Sequence, residues 1–522
     1  LYFPHEQSPH AFFYENKQKR SVSCFFAQSE RKDSLMNTPN ILFIMTDEHR
    51  ADAMGGLPGS LVDTPYLEEM RNAGVYFPHA YSACPVCIPA RRTLWSGKKP
   101  SHQGVLMNYH AALDSVTLPE LLKRAGYQTH LCGKLHLHPE RKLYGFCSAD
   151  WSDGPYGSGC ENDYERFLKR NGLYHTAGLG HGLSFNGAVA KPFHLDERFH
   201  FTNWCTECAL EFLERRDKTM PFFLNVSYHQ PHAPCTPPRY YFDKYMSRDL
   251  PALPTGNWEQ DLPNTQKGKP VNAWRVDVHD PALRAYRAGY YGCIEHIDHQ
   301  IGRLIYALPD NTIVIFCSDH GEMLGDHGWI RKRCAYEGSA RVPLFFTFPK
   351  QFAQKNGIPL GTQVDETVEL MDVMPTILAL LGMAPPDDID GLSLVGPMQN
   401  KRLKRDYIHG ECARLETIGS GMQYLTDGKL KYIWYPALGL EQLFDLARDP
   451  QERNNLSRDP AYGAILIEWR QKLIFELRHR EEGFVKDGRL VRLDGPTQLC
   501  VGKTKEAEGV QIGAHAAGFF LG

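Results

Sequence analysis

Three short apolar runs, each breaking off into a cluster of polar residues, constrain this chain more than any other feature. Asn40–Thr46 (NILFIMT) runs into Asp47-Glu48-His49, Phe222–Val226 leads to His229-Gln230-Pro231-His232, and Ile313–Cys317 ends at Ser318-Asp319-His320-Gly321. Continuous apolar runs of this length mark strands buried on both faces, as in parallel sheets. Helix-period segments lie between them: Pro65–Gly74, Leu118–Ala125, Asn203–Leu213, Ala282–Leu308 and Glu366–Leu381. Thr64 and Thr202 read as helix N-caps, Gly74 and Gly126 as stops, and Thr129–Cys132 as another short strand. The alternation predicts a doubly wound α/β sheet, in which ligands bind off the carboxyl ends of the strands.

With 522 residues the chain has room for a second unit. Past residue 400 the texture changes. Met422–Thr426, an Asp427-Gly428 turn and Lys429–Tyr435 read as a hairpin, Gln442–Leu446 as one more strand, and Ala464–Arg478 as a helix. The predicted division is a large α/β domain over residues 36–400, a smaller α+β domain with a short antiparallel sheet over 401–485, and a tail over 486–522. Residues 1–35 hold scattered aromatics and the basic cluster Lys17, Lys19, Arg20, without an apolar stretch of signal-peptide length. Met36 stands just before the first strand, so 1–35 read as upstream sequence; the rival is an extension packed on the body.

A formal net charge of −3 provides no global field for nucleic acid or an anionic membrane. The apolar runs are too short to span a bilayer, and the chain reads as a soluble protein. Fourteen cysteines lack framework spacing, which, without a signal peptide, points to reduced thiols in the cytoplasm. Two Cys-x-x-Cys pairs, Cys84/Cys87 and Cys205/Cys208, lack the spacing of a zinc ribbon. The second falls inside a helical pattern, where cysteines three apart read as core packing.

If the three strands are parallel neighbours, their polar ends converge. Asp47 and Asp319 then offer hard oxygen ligands and His320 a nitrogen, a set suited to a divalent metal that holds an anionic substrate. Any one Asp after a strand is equally a turn residue. In Cys84-Pro-Val-Cys87-Ile-Pro89-Ala-Arg91-Arg-Thr-Leu94-Trp-Ser-Gly97, Pro89 suits the first turn of a helix and puts Cys87 at its N-terminus. Free N–H groups there favour an anion and a lowered thiol pKa. A reactive cysteine and a buried structural one both fit. Lys134, after a short strand, reads on its own as a surface lysine, and Lys332 in Arg331-Lys332-Arg333 as part of a wet face. His299 and His327 read as structural, and Trp434 and Tyr435 as core of the small sheet.

Cys87-x-Pro89-x-Arg91 followed by Leu94-x-x-Gly97 resembles the signature of the type I sulfatases, of the alkaline phosphatase superfamily. The resemblance extends from Pro39 to about Asn455. It takes in NILFIMTD at Asn40–Asp47, Gly133-Lys134-Leu135-His136, PFFLNVSYHQPHAP at Pro221–Pro234 and Ile297-Asp298-His299-Gln300-Ile301-Gly302. Ser318-Asp319-His320-Gly321-Glu322, KRCAYEGSARVP at Lys332–Pro343, Asp390–Leu394 and LFDLARDPQERNNL at Leu443–Leu456 complete it.

The resemblance implies an alkaline-phosphatase-like fold, with a large mostly parallel sheet between helices. It implies conversion of Cys87 to Cα-formylglycine by a maturation enzyme, and a divalent metal, Ca2+ ahead of Mn2+ or Mg2+, on Asp47, Asp319 and His320. Glu48 stands where the family often has a further acid, and Asn is common where His320 stands. Arg91 would orient the formylglycine hydrate. Lys134, His136 and Lys332 would grip the sulfate, and His232 would protonate the leaving group. The hydrate would attack sulfur to give a sulfated hemiacetal, from which His136 would draw the proton that restores the aldehyde. The implied activity is hydrolysis of a small-molecule or saccharide sulfate ester. Phosphonate monoester and phosphodiester hydrolysis on the same fold is the close rival. An unmodified anion-binding relative, or a zinc or redox module built on the Cys-x-x-Cys pairs, would be of a different class. A homo-oligomer is compatible with the sequence. The segments around 140–200 and 235–280, including the Gly- and aromatic-rich stretch Trp151–Gly187, are where the alcohol part of the substrate would be selected.

Overall fold

A computed structural model describes residues 38–154, 160–173, 182–183, 187–262, 267–268, 274–413 and 421–493. The expected extension at 1–35 lies outside the described residues. So do parts of the 151–187 stretch and all of the expected tail beyond residue 493. Among the described residues, eight strands form one sheet: β1 (Asn40–Asp47), β2 (Val75–Tyr76), β3 (Gln128–Gly133), β4 (Ser148–Trp151), β5 (Phe222–Pro231), β6 (Thr312–Ser318), β7 (Leu344–Thr347) and β8 (Thr362–Gln363). Their spatial order is β8-β2-β7-β6-β1-β5-β3-β4. The central strands are parallel: β1 pairs with β5 on one side and β6 on the other. Only β7 runs against its neighbours.

Six helices cover the two faces: α1 (Pro65–Ala73), α2 (Cys87–Ser96), α3 (Leu118–Arg124), α4 (Phe201–Arg215), α5 (Pro281–Ala307) and α6 (Val373–Leu380). Strand periodicity divides the core between them. Ile41, Phe43, Met45, Phe223 and Ile315 face α2, α3 and α6 through Trp95, Leu122 and Ile377. Leu42, Ile44, Leu224 and Phe316 face α1, α4 and α5 through Leu67, Trp204 and Ile297. Each such side chain withdrawn from water contributes roughly 1.5–3 kcal/mol. The apolar runs are thus unbroken because both faces are covered, and the expected α/β class holds.

Local signals were overridden at three places. Thr64 does not cap α1: its hydroxyl accepts the Gly55 N–H at 2.6 Å. The N-terminus of α1 is capped from α5 by the Asp298 carboxylate, which accepts the N–H groups of Leu67 (2.7 Å) and Tyr66 (3.3 Å). Gly74 is required for close approach, since a Cβ there would lie 2.2 Å from the Phe346 carbonyl oxygen. Thr202 lies inside α4, whose cap is the His200 ring accepting the Thr202 N–H at 3.1 Å. The helix expected from Glu366 begins only at Val373, because Val368–Glu369 pairs with Ala80–Tyr81 and Leu370–Asp372 forms a 3-10 turn.

Toward the C-terminus β9 (Ile408–Cys412), β10 (Met422–Thr426), β11 (Leu430–Tyr435) and β12 (Leu440–Asp445) form an antiparallel sheet, with α7 (Gly463–Leu477) on one face. The hairpin turns at Asp427-Gly428, with Gly428 at φ +81°. Trp434 packs toward α7, whereas Tyr435 lies on the other face among Trp258, Tyr336 and Phe444, against the loops of the large sheet. Three hydrogen bonds fix this small sheet to the loop before Cys87 and to its neighbour: Glu411 N–H to Ala83 O (2.7 Å), Tyr424 O–H to Ser82 O (2.9 Å) and Ala413 N–H to Leu106 O (3.2 Å). No helix among the described residues is long and apolar enough to cross a membrane.

Candidate active site

The polar ends of β1, β5 and β6 do converge, because the three strands are adjacent and parallel. Ser318 ties two of them together: its hydroxyl donates to Thr46 O (3.0 Å) and accepts the His49 N–H (2.9 Å). Asp47 closes β1, and the chain then turns through Glu48 at φ +66°, which directs the next carboxylate back into the site. Asp319 and His320 follow β6. His320 Nδ1 hydrogen-bonds the Gly321 carbonyl at 3.0 Å, leaving Nε2 to face inward.

Opposite these tips, α2 begins at Cys87, preceded by Val86 in an extended conformation. The Cys87 sulfur lies 3.2 Å from His320 Nε2 and 3.8 Å from Asp47 Oδ1. Burial pushes its thiol pKa up, but the charges of Lys134, Lys332 and His320, with a hydrogen bond from His136, hold it well below the ordinary value. Arg91, one turn along α2, is wholly buried. It donates to Asp319 Oδ2 (2.8 Å), Ser227 Oγ (2.9 Å) and the Lys134 carbonyl (2.9 Å), and lies 3.5 Å from Asp47 Oδ2. Its hydrogen bonds therefore set the carboxylates and the base of the Lys134 loop.

Neither Lys134 nor Lys332 is solvated. The ammonium of Lys134 is bonded to Asp47 and that of Lys332 to Glu48, and both residues are buried. His232 places Nε2 3.5 Å from Glu48 Oε1 and is oriented by a 2.7 Å bond from Nδ1 to Ala233 O. His136, at φ +55°, is held by Asp153, whose Oδ1 accepts the N–H groups of Leu135 (2.9 Å) and His136 (2.7 Å). Cys87, Arg91, Lys134, His136, His232, Lys332, Asp47, Glu48, Asp319 and His320 thus lie around one site, whereas His299 bonds Tyr241 and His327 bonds Gln451 O elsewhere.

One ligand atom each from Asp47, Cys87, Asp319 and His320 lies within 4.8 Å of the others, and Asp47, Glu48 and His232 form an adjoining group. The second oxygen of Glu48 is buried without a hydrogen bond, a lone-pair position that costs free energy unless a positive group meets it. His320 shows the same demand: burial lowers its pKa, yet Asp319 and Cys87 raise it to about 9, so its ring lies among negative groups that favour a positive charge there. Burial and Asp47 push Asp319 up despite His320 and Arg91, whereas for Asp47 the cations Lys134, His232 and Arg91 outweigh burial and hold it low. Three carboxylates face three permanent cations, so adding a divalent ion leaves a positive surplus for an anion. The residues fit a hard divalent cation.

Sequence reasoning passed over three residues. Ser227 anchors Arg91 from within β5, and Asp153 holds the His136 loop. Glu322 accepts the N–H groups of Leu324 (3.0 Å) and Arg331, shaping the turn that delivers Lys332. Burial and Glu48 push Glu322 up to about 7. Asp153 was within reach, since it stands just past the end of β4 much as Asp47 stands at the end of β1. Ser227 acts on a partner 136 positions away and leaves no local signal, and Glu322 shapes a turn whose bonds only the fold reveals.

A mostly parallel α/β sheet with a buried carboxylate, histidine and lysine cluster at its strand ends, facing a cysteine at a helix N-terminus, defines a hydrolase of the alkaline phosphatase superfamily. The chain belongs to the sulfatase family, which it matches over residues 39–383, with residues 325–479 matching the C-terminal N-sulphoglucosamine sulphohydrolase family. It is 37% identical over 480 residues to an arylsulfatase of Clostridium perfringens, covering 87% of this chain and 97% of that one. It is 32% identical over 438 residues to a choline-sulfatase of Rhizobium meliloti, covering 81% and 83%. Among solved structures, a phosphonate monoester hydrolase of Agrobacterium radiobacter superposes with a TM-score of 0.71 at 25% identity, covering 84% of this chain and 95% of that one. The protein is a sulfuric ester hydrolase, and the expected fold class and family are borne out.

Proposed function

We propose that the enzyme hydrolyses sulfate monoesters of the arylsulfatase type, with Cys87 converted to Cα-formylglycine as its nucleophile. The observation that carries this reading is the position of the Cys87 side chain, between the helix N-terminus and the group formed by Asp47, Asp319 and His320. Asp47, Asp319 and His320 would hold the cation, with Glu48 at its flank. Two or three carboxylate oxygens favour Ca2+, with Mn2+ or Mg2+ as alternatives. When bound, the cation supplies charge that favours an ionised oxygen nucleophile and offsets charge on the ester oxygens.

The chain's own residues divide the remaining work. Arg91 fixes both aspartates, so their geometry needs no rearrangement during reaction. Lys134 and Lys332 exchange a carboxylate partner for an ester oxygen when substrate enters. His232, oriented through Nδ1, presents Nε2 to the departing alkoxide and gives it a proton. His136 takes a proton from the hydroxyl of residue 87 that does not attack sulfur.

The test has two parts. Mass spectrometry of the peptide containing Cys87, from a host that makes formylglycine, should show the aldehyde, and intact thiol in active enzyme would refute the nucleophile. Relative kcat/KM on aryl sulfate and aryl phosphonate ester should favour the sulfate. A preference for the phosphonate, the reaction named by the Agrobacterium structure, would replace the substrate assignment while leaving the nucleophile in place.

A further inference from the structure

A second cluster of ligating side chains lies on the α4 face of the sheet, formed by parts of the chain the reaction does not use. In β3 and β4, which run parallel in the register His130↔Ser148 and Cys132↔Asp150, the side chains of His130, Cys132 and Asp150 project to one face. Their ligand atoms lie within 4.8 Å of one another. Helix α4 crosses this face. Cys208 opens with His130 and Asp150 onto a surface cleft of about 310 Å3, and Cys205, one turn earlier, is sealed against β3 at Gly133. The Cys-x-x-Cys pair that reads as mere packing in the sequence therefore meets a third cysteine, a histidine and an aspartate in space. All three cysteines are unbridged.

His130 is set as a ligand would be. Its ring stacks on Phe212 at 4.5 Å, Nδ1 bonds Ser148 Oγ at 2.7 Å, and Nε2 points at Asp150 Oδ2 at 3.1 Å. A hydroxyl on one ring nitrogen, with the other turned to the cluster, is the outer-shell arrangement found around metal-bound histidines. Of the two cations at the mouth, Arg215 is paired with Glu211, and Arg216 lies over the Phe222 ring and donates to the Asp217 and Met220 carbonyls.

We propose that His130, Cys132 and Asp150, with Cys208 from the cleft wall as the fourth ligand, bind a soft or borderline divalent ion, Zn2+ by ligand chemistry, at a site separate from the catalytic centre. Sulfur and imidazole select such an ion, whereas the carboxylate-rich site at the strand ends selects a hard one. The cysteines ligate as thiolates, so binding releases their protons to solvent. The ion would join α4 to β3 and β4, whose continuations carry Lys134, His136 and Asp153. Its effect is on the rigidity of that edge rather than on the bond being broken.

The test uses full-length Cys87→Ala protein, which silences the catalytic thiol, with Co2+ as optical probe and Zn2+ as competitor. One equivalent of Co2+ should give a sulfur-to-metal charge-transfer band that Zn2+ abolishes, and Zn2+ should raise the thermal midpoint. Adding Cys208→Ala, or the half-buried Asp150→Asn, should weaken binding at least tenfold in a folded chain. The Cys132→Ala, Cys208→Ala pair should remove the band. Absence of the band in Cys87→Ala protein, or a band unchanged by replacing Cys132 and Cys208, would overturn the assignment.

Discussion

Asp153 touches no reacting atom on any reading of the site, yet replacing it should cost most of the activity. One of its carboxylate oxygens accepts three donors: the N–H groups of Leu135 and His136 and, at 3.0 Å, the indole N–H of Trp151. A hydrogen bond contributes roughly 0.5–1.5 kcal/mol net, and more to a charged acceptor, so Asp153→Ala should lower stability by about 2–4 kcal/mol. The bonds also hold His136 at φ +55°, a conformation that costs a residue with a side chain about 1–3 kcal/mol. Without them the peptide relaxes and the imidazole moves. Displacement by about 1 Å costs on the order of 100-fold in rate, so kcat should fall by about that factor, with KM changing much less. Asp153→Asn keeps an acceptor and should lose less on both counts.

The assays are steady-state kinetics on an aryl sulfate and urea unfolding of the same preparations. A positioning role adds a second requirement: in a His136→Ala background, Asp153→Ala should cost almost nothing further, because residues acting as a unit are not additive. Undiminished kcat in folded Asp153→Ala protein, or losses that simply multiply in the double variant, would show that Asp153 does not act through His136.

Cys87→Ala should fold with an unchanged urea midpoint and show no turnover above background, and residual turnover near the parent value would remove Cys87 as nucleophile. Asp319→Asn should lose the bound cation and activity together, by elemental analysis and kinetics on the same sample; full metal content would place the cation elsewhere. His49 gives a pH prediction. Buried, with Nε2 2.8 Å from Ala53 O, it has a pKa lowered by burial to about 4, below the unfolded value of about 6.5. Between these values the unfolded chain binds the extra proton. His49 therefore contributes stability fully above pH ~6.5 and loses it as pH falls toward 4, about 3 kcal/mol in all. Urea unfolding across that interval should show a shallower pH slope for His49→Gln, and parallel slopes would contradict the burial argument.

The α/β class was legible because it rests on pattern. Runs such as Asn40–Thr46 and Ile313–Cys317 stay apolar without alternation only where both faces are covered. The site was legible for a related reason: Asp47, Asp319 and His320 stand at strand ends, and Cys87 at a helix start marked by Pro89. Local chemistry failed wherever a distant group did the work. Asp298 and His200 took the capping roles that Thr64 and Thr202 promised. Strand β9 was missed because Ile408–Cys412 (IHGEC) mixes polar residues and glycine, and it is held by pairing with β10 rather than by its own pattern. Arg331-Lys332-Arg333 reads as a wet face, and only the fold reveals the buried Glu48 carboxylate opposite Lys332.

The bonds from Glu411 and Tyr424 to Ala83 and Ser82 join segments more than 300 positions apart in the chain. During synthesis the two aspartates can take their places at the strand ends while the loop leading to Cys87 still lacks these two bonds. A nascent chain that ends before residue 411 would carry the acids and α2, with the loop before Cys87 held from the large sheet's side alone, by Ser82 N–H to Ala340 O (2.8 Å) and Arg333 N–H to Pro85 O (3.1 Å). Competence for hydrolysis should accordingly arrive late and in one step, when the antiparallel sheet docks.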